Sequence, residues 1–516
     1  MASPPDLDPS QEAAVKAADA ALVIAAGPGT GKTRVFSHRV AHLIKERGVA
    51  PESILAVTFT RSAAAEMRHR IQALLGGAAD RLWIETCHAA ALRILRAERY
   101  PFGPDGFSVL DEAAKPALLD GIVSKSEASA VLQEVRLAKQ ALQAPASPPA
   151  QAYGQRLRER RLLDFDDLFP CVLRLLEEKP AARELWSRRF RHVVVDEFQD
   201  TSLAQYAFVK ALAAHSLCVI GDPDQSIYGF AGVPFDPFAR FRQDHPDHRV
   251  LPLTENYRSQ AVILDAAKQV IARNGARIPR QLRARLERGL PIDISGHQSD
   301  RQEAAMAVRR IEGLLGGASQ FTVDSAWAPK DSDCGEYSLG DIAILFRLNA
   351  QARLFEEALE RAGLPYITYG KKTKKDGQEI TLGEDLEDFQ QNEAAAPLPH
   401  QPVGEAITLM TLHRAKGLEF PVVFLTGCED GILPYRRDGS GPGLVEEERR
   451  LFYVGMTRAQ RRLFLSYAHK RFLFGRTLDR EPSPYVEDIE EELRRIQAND
   501  APKRRRPPPG KQPELF

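Results

Sequence analysis

The chain has 516 residues, more than one hydrophobic core usually accommodates, so we expect two to four domains. Hydrophobic residues make up 43% and charged residues 27%, a balance that is normal for a soluble globular protein. The 70 basic and 70 acidic residues cancel, so the overall charge indicates no polyanionic partner, and any basic surface must be local.

The cysteines and the N-terminus bear on the cellular compartment. The five cysteines are scattered along the chain, which argues against a zinc site or a disulfide framework and fits a reducing cytosol. The first residues, "MASPPDLDPSQ", lack the charged and then apolar pattern of a signal peptide, and no apolar run reaches membrane-spanning length. We therefore expect a cytoplasmic protein without a membrane partner.

Short apolar runs alternate with helical patterns along the chain. The runs that predict buried strands are "ALVIAA" (21–26), "ILAVTFT" (54–60), "HVVVDE" (192–197), "LCVIGD" (217–222), "DIAILF" (341–346), "ITLMTL" (407–412), "VVFLTG" (422–427) and "LFLSYA" (463–468). Helical patterns at 32–48, 350–363 and 445–459 lie among them. The alternation predicts parallel sheets covered by helices, and its recurrence predicts two α/β domains in tandem.

Composition also predicts where these domains are interrupted. We expect a first α/β domain at 1–88 and 186–256 and a second at 257–370 and 403–485. The remaining ranges are a helical, Ala/Leu/Arg-rich insertion in the first domain at 89–185, a short polar insert in the second at 371–402, and a C-terminal tail at 486–516. From Asp500 onward the composition is that of a disordered segment.

The segment "AGPGTGKT" follows a predicted strand and opens a helix, which is the context of a phosphate-binding loop. Glycine lets backbone amides converge on phosphate oxygens, Lys32 supplies a point charge, and the Thr33 hydroxyl suits Mg²⁺. A glycine-rich turn without a ligand is the alternative. The residues predicted to hold the nucleotide here are Ala26, which replaces the usual first glycine, Gly27, Gly29, Thr30, Gly31, Lys32 and Thr33.

The segment "VVVDEFQDT" places two carboxylates after a buried strand. Asp196 is predicted to hold Mg²⁺, and Glu197 is predicted to orient and deprotonate an attacking water. A solvated acidic loop is the alternative, but an acidic pair that follows a phosphate-binding loop favours catalysis. Near the N-terminus, Asp8 and Gln11 of "LDPSQ" form a capping box by spacing, and spacing alone does not separate capping from base recognition.

From Leu7 to about Tyr485 the chain resembles the UvrD/Rep/PcrA family of superfamily 1 DNA helicases. Besides the segments above, the motifs that carry the resemblance are "TFTRSAAAEMRHR" (58–70), "TCHAAALRILR" (86–96), "GDPDQSIYGFAG" (221–232), "ENYRS" (255–259), "TLHRAKGLEF" (411–420) and "VGMTRA" (454–459). The resemblance implies two tandem RecA-like P-loop motor domains that use ATP and Mg²⁺.

The resemblance also implies roles for individual residues. At the nucleotide these are adenine recognition by Gln11, packing on the base by Arg34 and Tyr257, ribose contact by Glu419, γ-phosphate contact by Arg258 and Arg458, and coupling of phosphate sensing to DNA by Gln225. The expected DNA contacts are Phe59, Arg61, His88, Tyr228, Phe230, Arg347 and His413. Core packing is the alternative for the aromatic residues, and internal hydrogen bonding is the alternative for the two histidines.

Three departures from the family pattern stand out. Phe230 and Ala231 replace the usual Trp-Arg pair, so one guanidinium contact is missing. Cys87 replaces a usual Phe, and Arg61 a usual Asn. Residues 371–402 fill the gap in which the family inserts a large accessory domain, and they are far too few for that domain.

We therefore expect an ATP-dependent 3′→5′ helicase that acts on single-stranded and 3′-tailed duplex DNA in repair or replication. Two alternatives are a single-strand translocase that strips proteins and unwinds weakly, and an ATP-gated DNA-binding adaptor. Intact Lys32, Asp196 and Glu197 argue against the adaptor. An unwinding assay on tailed duplex separates the other two.

The chain ends in "QPELF" after a basic and proline-rich segment. This ending resembles the short peptide with which bacterial polymerases and repair proteins bind the β sliding clamp. Gln512 would supply an amide, and Leu515 and Phe516 would be paired apolar anchors. A frayed terminus with an accidental Leu-Phe pair is the alternative.

Overall fold

The computed structural model describes residues 7–229, 235–275, 277–278, 280–316, 335–369, 405–436 and 442–497. Its strands are β1 (Ala21–Ala26), β2 (Ile54–Thr58), β3 (Trp83–Thr86), β4 (Ser108–Val109), β5 (Leu162–Leu163), β6 (His192–Val195), β7 (Ser216–Gly221), β8 (Arg249–Leu253), β9 (Glu255–Asn256), β10 (Arg283–Ala284), β11 (Ile292–His297), β12 (Ile342–Phe346), β13 (Tyr366–Thr368), β14 (Ile407–Thr411), β15 (Phe420–Leu425), β16 (Ala459–Ala468), β17 (Lys470–Leu473), β18 (Arg476–Asp479) and β19 (Arg494–Gln497).

The α-helices of the described residues alternate with these strands. They are α1 (Pro9–Lys16), α2 (Lys32–Lys45), α3 (Arg61–Leu75), α4 (Cys87–Glu98), α5 (Lys125–Gln140), α6 (Pro148–Glu159), α7 (Leu168–Glu178), α8 (Pro180–Arg189), α9 (Leu203–Leu212), α10 (Pro237–Asp244), α11 (Ala261–Ile271), α12 (Asp300–Leu314), α13 (Ala352–Ala362), α14 (Pro442–Met456) and α15 (Pro484–Glu487). None of them is both long and apolar enough to cross a membrane.

Two parallel sheets organise the fold. The first has the order β3-β2-β6-β7-β1-β8, and the second has the order β13-β14-β12-β15-β16-β11-β19. Each strand that the sequence predicts is present, and so is the predicted α/β class. Side chains alternate between the two faces of each sheet. In β1, Val23 joins the core on one face, while Leu22 and Ile24 join the core on the other.

Burial on both faces explains why the apolar runs are continuous rather than alternating. In the second sheet, Leu345 and Ile344 likewise belong to different cores. The carboxyl ends of parallel strands meet at one edge of a sheet, so the polar segments that follow β1, β6 and β7 come together there. This edge carries the candidate site.

The expected helical insertion has two parts. The helices at the two ends of its sequence, α4, α7 and α8, contribute buried residues to the same core as the first sheet, for example Ile94, Val172 and Trp186. The helices α5 and α6 form a small separate core around Val131 and Tyr153. The insertion as a separate unit is therefore shorter than 89–185.

The expected start of the C-terminal tail at residue 486 is wrong. Val486 and Ile489 are buried in the second core, and β19 pairs in parallel with β11, with Ile292 opposite Arg494. A four-residue strand that contains two arginines carries little hydrophobic signal, which is why the sequence pattern did not reveal it. Residues 498–516 and the short insert at 371–402 lie outside the described residues.

Candidate nucleotide-binding site

The predicted phosphate-binding loop connects β1 to α2. Gly29 and Gly31 have positive φ angles of 66° and 79°, which glycine adopts without steric cost. A Cβ atom on Gly29 would lie 2.5 Å from Cβ of Arg258 and 2.7 Å from Nδ2 of Asn256. The loop therefore needs glycine here for two reasons, its backbone conformation and the close approach of the chain at Asn256–Arg258.

The segment that joins the two predicted domains is hydrogen-bonded to this loop. The side-chain amide of Asn256 donates a hydrogen bond of 2.7 Å to the Pro28 carbonyl, and the Tyr257 amide donates one of 2.8 Å to the Gly29 carbonyl. The loop is thus bonded to the segment that carries two predicted nucleotide ligands, Tyr257 and Arg258.

Gln11 caps α1 and also contacts the phosphate-binding loop, while its role in base recognition stays a prediction. It completes the capping box of α1 with Asp8, and its Nε2 donates a 3.0 Å hydrogen bond to the Thr30 carbonyl in the loop. The Tyr257 hydroxyl donates to Asp8 Oδ2 at 2.8 Å, while 43% of Tyr257 remains exposed. The predicted adenine-binding residues therefore lie together beside the loop.

The nucleotide fits this cradle on two observations. The positive-φ glycines at positions 29 and 31 give the loop the tight backbone turn that brings amides together on a phosphate. On α2, directly after the loop, the Nη2 atom of Arg34 is buried and has no hydrogen-bond partner within the described part of the chain. A buried guanidinium nitrogen without a partner is costly unless a ligand accepts its hydrogen bond.

The two predicted catalytic carboxylates follow β6. The Asp196 amide donates to the Val57 carbonyl on β2 at 2.8 Å, so this end of β6 is fixed to its neighbour. Glu197 has a φ of 48°, an unfavourable angle for a residue with a side chain, and such strain is concentrated at functional sites. Its amide donates to the Asp196 carboxylate at 2.9 Å.

The electrostatic environment distinguishes these carboxylates. Burial, and then the neighbouring Glu197 charge, raises the pKa of Asp196 to about 7. Burial also raises the pKa of Glu197, but Lys32 and then Lys416 outweigh it and hold the pKa below its ordinary value. Glu197 is thus the carboxylate that stays ionised, as a base must. A further cation such as Mg²⁺ beside Asp196 would favour its ionised form.

Lys416 joins the second sheet to this edge of the first, and no role was predicted for it from the sequence. It lies in the loop after β14, pairs with Asp200, and donates a 2.8 Å hydrogen bond to the Gln225 carbonyl. Its ammonium group also lies 4.8 Å from the centre of the Tyr228 ring. The lysine of "TLHRAKGLEF" was visible in the sequence, but its partner is 216 residues away.

The predicted γ-phosphate arginines also come from the second domain. Arg458 is 1% exposed, and it donates to Gln225 Oε1 at 3.3 Å and to the Leu418 carbonyl at 3.0 Å. Burial, and then the Arg258 charge, lowers the pKa of Arg458 to about 9. Arg258 pairs with Glu419, the predicted ribose ligand. Four of the predicted nucleotide ligands thus form one cluster across the two sheets.

The expected DNA contacts do not share one environment. Phe59 and Tyr228 have parallel rings with centroids 6.2 Å apart, and Arg61 is exposed at the start of α3. His88 packs against the Phe169 ring at 4.6 Å. Burial, and then Arg347, lowers the pKa of His413 well below its ordinary value, so this imidazole is neutral. Phe230, Gln512, Leu515 and Phe516 lie outside the described residues.

Arg347, an expected DNA contact, has its guanidinium buried in an ion pair within the second domain. It is 8% exposed and forms a two-point ion pair with Glu448, with nitrogen–oxygen distances of 2.9 to 3.2 Å. Breaking a buried ion pair is strongly unfavourable, so the guanidinium is committed to α14. The structure gives Arg347 an internal role instead.

The hairpin of β17 and β18 presents aromatic residues that the sequence analysis did not single out. Phe472 is 61% exposed and Phe474, at the turn, is 49% exposed. Between them and the core, the buried Arg471 pairs with Glu303 and Glu429. The hairpin follows β16, so it extends from the same edge of the second sheet as His413. The alternation in "KRFLFGR" was the available signal.

Family comparisons agree with this arrangement. The UvrD/REP helicase N-terminal domain matches residues 7–246, and the UvrD-like helicase C-terminal domain matches residues 251–382 and 374–470. The ATP-dependent DNA helicase PcrA of Bacillus subtilis (strain 168) is 31% identical over 652 residues, which covers 94% of this chain and 86% of that protein. PcrA of Leuconostoc citreum is 30% identical, with 94% and 84% covered. The chain therefore belongs to the UvrD/Rep helicase family, and it is an ATP-dependent DNA helicase.

The alignment also bears on the short insert. Its 652 positions exceed the 516 residues of this chain, so the relative contains segments that this chain lacks. The C-terminal family domain matches in two pieces that meet at 374–382, inside the polar insert at 371–402. Both observations agree with a shortened accessory region.

The glycine argument gives a matched pair of variants. We expect Gly29→Ala to weaken ATP binding at least ~10-fold, because the new methyl group meets Arg258 and Asn256 and forces the loop to move. Gly48→Ala is the control, since Gly48 has a similar φ of 63° but nothing within 4 Å of its Cβ position. Titration with a fluorescent ATP analogue measures both. Equal affinity in the two variants would contradict the steric role of Gly29.

Proposed function

We propose that this ATP-dependent DNA helicase uses Mg²⁺ with ATP to move 3′→5′ along single-stranded DNA and to unwind 3′-tailed duplexes in DNA repair or replication. The observation that carries the proposal is the cluster at the carboxyl edge of the first sheet. There Lys416 and Arg458 of the second domain reach Asp200 and Gln225 of the first, next to Glu197.

The nucleotide chemistry follows from the positions of these groups. Backbone amides of the loop and Lys32 would hold the phosphates, while Glu197 would take the proton of the attacking water. Thr33 and Asp196 would hold Mg²⁺, which neutralises phosphate charge when it is bound. Arg258 would leave Glu419 for the γ-phosphate, which frees Glu419 for the ribose.

Movement along DNA would follow from the same cluster. Closing the two sheets around ATP would bring Arg258 and Arg458 towards the γ-phosphate, and release of the cleaved phosphate after hydrolysis would remove the charge that holds them there. Phe59 and Tyr228 lie next to this edge, and their parallel rings suit stacking with bases of any sequence. Each cycle would then shift the two domains relative to one strand.

The exposed hairpin favours unwinding over translocation alone. Phe474 lies on a turn that is fixed to the core by Arg471 and by a 2.8 Å hydrogen bond from the Phe472 amide to Asp300. A rigid support with an exposed aromatic ring can stack on the last base pair of a duplex and separate it. A flexible loop would move aside instead of separating the base pair.

We also propose that the C-terminal "QPELF" binds the β sliding clamp through Gln512, Leu515 and Phe516. Its support is the sequence: two large apolar residues follow a basic and proline-rich segment. Paired apolar anchors of this kind can provide most of a peptide's affinity. Binding would raise the local concentration of the motor on DNA that carries a clamp.

The assignment of the base is tested by Glu197→Gln. We expect this variant to lose ~10²–10⁴-fold in kcat for DNA-stimulated ATP hydrolysis and to keep ATP affinity, because only proton transfer is removed. Lys32→Ala is the comparison and should lose ATP binding as well. Hydrolysis at a near-normal rate in Glu197→Gln would exclude it as the base.

The hairpin and the polarity are tested with tailed duplexes. We expect the intact protein to unwind a 3′-tailed duplex and to leave a 5′-tailed duplex intact. Phe474→Ala should lower unwinding ~10-fold, since stacking on a base is worth about 1–3 kcal/mol, and should keep single-strand-stimulated ATP hydrolysis. The matched control is Leu185→Ala, which removes an exposed apolar side chain far from the hairpin in sequence. Unwinding of both tailed substrates, or full activity in Phe474→Ala, would contradict these roles.

The clamp is tested with a chain that ends at Lys511. We expect purified β sliding clamp to bind the intact protein and not the shortened one, because the anchors are gone. ATP hydrolysis on free single strands should be the same in both. Equal clamp affinity of the two chains would refute the interaction.

A further inference from the structure

Arg280 is a buried arginine that the nucleotide chemistry above does not use. It lies beyond α11, in the segment that leads to β10, and its side chain is 2% exposed. Its Nη2 atom pairs with Asp222, which is fully buried, and with Asp224 at 2.8 Å. Two carboxylates in contact with one guanidinium, away from water, form a charge group that tolerates little displacement.

Asp222 forms hydrogen bonds through both carboxylate oxygens and through its backbone amide. One carboxylate oxygen accepts the Asp224 amide at 2.9 Å and the Arg280 guanidinium. The other oxygen accepts the Gln225 side-chain amide at 2.6 Å. The Asp222 backbone amide in turn donates to Gln199 Oε1 at 2.9 Å. Asp222 therefore fixes the position of Gln199.

Gln199 is the direct neighbour of the proposed base. Its Nε2 donates to Glu197 Oε2. Gly221 makes room for this amide, because a Cβ atom there would lie 2.4 Å from Gln199 Oε1. A continuous path of bonded groups thus runs from Arg280 through Asp222 and Gln199 to Glu197.

We propose that Arg280 is a positioning residue for ATP hydrolysis, which aims Glu197 by fixing Asp222 and Gln199. The proposal rests on the proposed role of Glu197 as the base. Arg280 follows α11, a helix of the second core, whereas Glu197, Gln199 and Asp222 belong to the first. The segment that carries Arg280 also packs against the first core at Ile278, so it connects α11 of the second core to the residues that hold the base. This arrangement links the rate of hydrolysis to the contact between the two domains.

Arg277 provides a matched control. It also pairs with a carboxylate of this segment, but only with Asp224, and its side chain is 27% exposed. We expect Arg280→Met to lower kcat for DNA-stimulated ATP hydrolysis at least ~10-fold, with the KM for ATP changed less than ~2-fold. Arg277→Met should change kcat less than ~3-fold. Equal effects of the two variants would overturn the proposal.

The path is tested by combining Arg280→Met with Gln199→Ala. If Arg280 acts through Gln199, the double variant loses no more kcat than the more damaged single variant. Multiplying losses would show that Arg280 acts by another route, and the proposal would fail. Glu197→Gln in the same assay distinguishes a failure of the base assignment from a failure of the role of Arg280. If Glu197→Gln hydrolyses ATP at the normal rate, Glu197 is not the base, whatever the Arg280 variants show.

Removal of Arg280 alone leaves a buried carboxylate unpaired, which can destabilise the fold. The double variant Arg280→Met with Asp222→Asn removes both charges and keeps the backbone amide that binds Gln199. We expect it to melt near the temperature of the native protein and still to show a kcat reduced at least ~10-fold. Recovery of kcat together with the melting temperature would show that Arg280 is only structural. Arg280→Lys should recover part of kcat, since its ammonium restores the charge, while its different length and shape shift the contacts that the Nη2 atom makes with the two carboxylates.

Discussion

Charge neutralisation across the two sheets is the constraint on which the candidate site depends. The carboxylates of Asp200, Asp222 and Asp224 are all nearly inaccessible to water, and they follow β6 and β7 of the first sheet. Their cations, Lys416 and Arg280, come from the second domain. Separating such a pair costs about 3–5 kcal/mol when one partner stays buried. The two domains can therefore move apart only where water or a ligand replaces these contacts.

The same constraint explains the strain at Glu197. Its left-handed backbone conformation persists because the surroundings over-determine it: the Asp196 carboxylate accepts its amide and Gln199 holds its carboxylate. Lys32 and Lys416 favour the ionised form. Residues of both domains thus position Glu197, although Glu197 itself belongs to the first domain.

Much of this fold could be predicted from local patterns. The apolar runs predicted eight strands, and the glycine-rich loop and the acidic pair were found from spacing alone. Long-range pairing was not accessible in this way. Arg347 follows a strand just as a phosphate contact would, and only the fold reveals Glu448, 101 residues away. Arg280 is part of none of the sequence motifs described above, and its partners lie 56 and 58 residues earlier in the chain. Arg347, Arg280 and Lys416 were thus missed because their roles depend on distant partners.

The placement of β19 has a consequence for the order in which the protein is made. β11 lies between β16 and β19, whose residues are translated more than 160 positions later. The first sheet is complete at Leu253, whereas the second stays open until Gln497 has left the ribosome. Until then Ile292–His297 has unpaired edges, which are templates for pairing with another chain. The short, arginine-containing β19 closes that edge with a strand that attracts no further partner. Newly made chains thus carry an open strand edge in the second sheet from the synthesis of β11 until β19 has emerged.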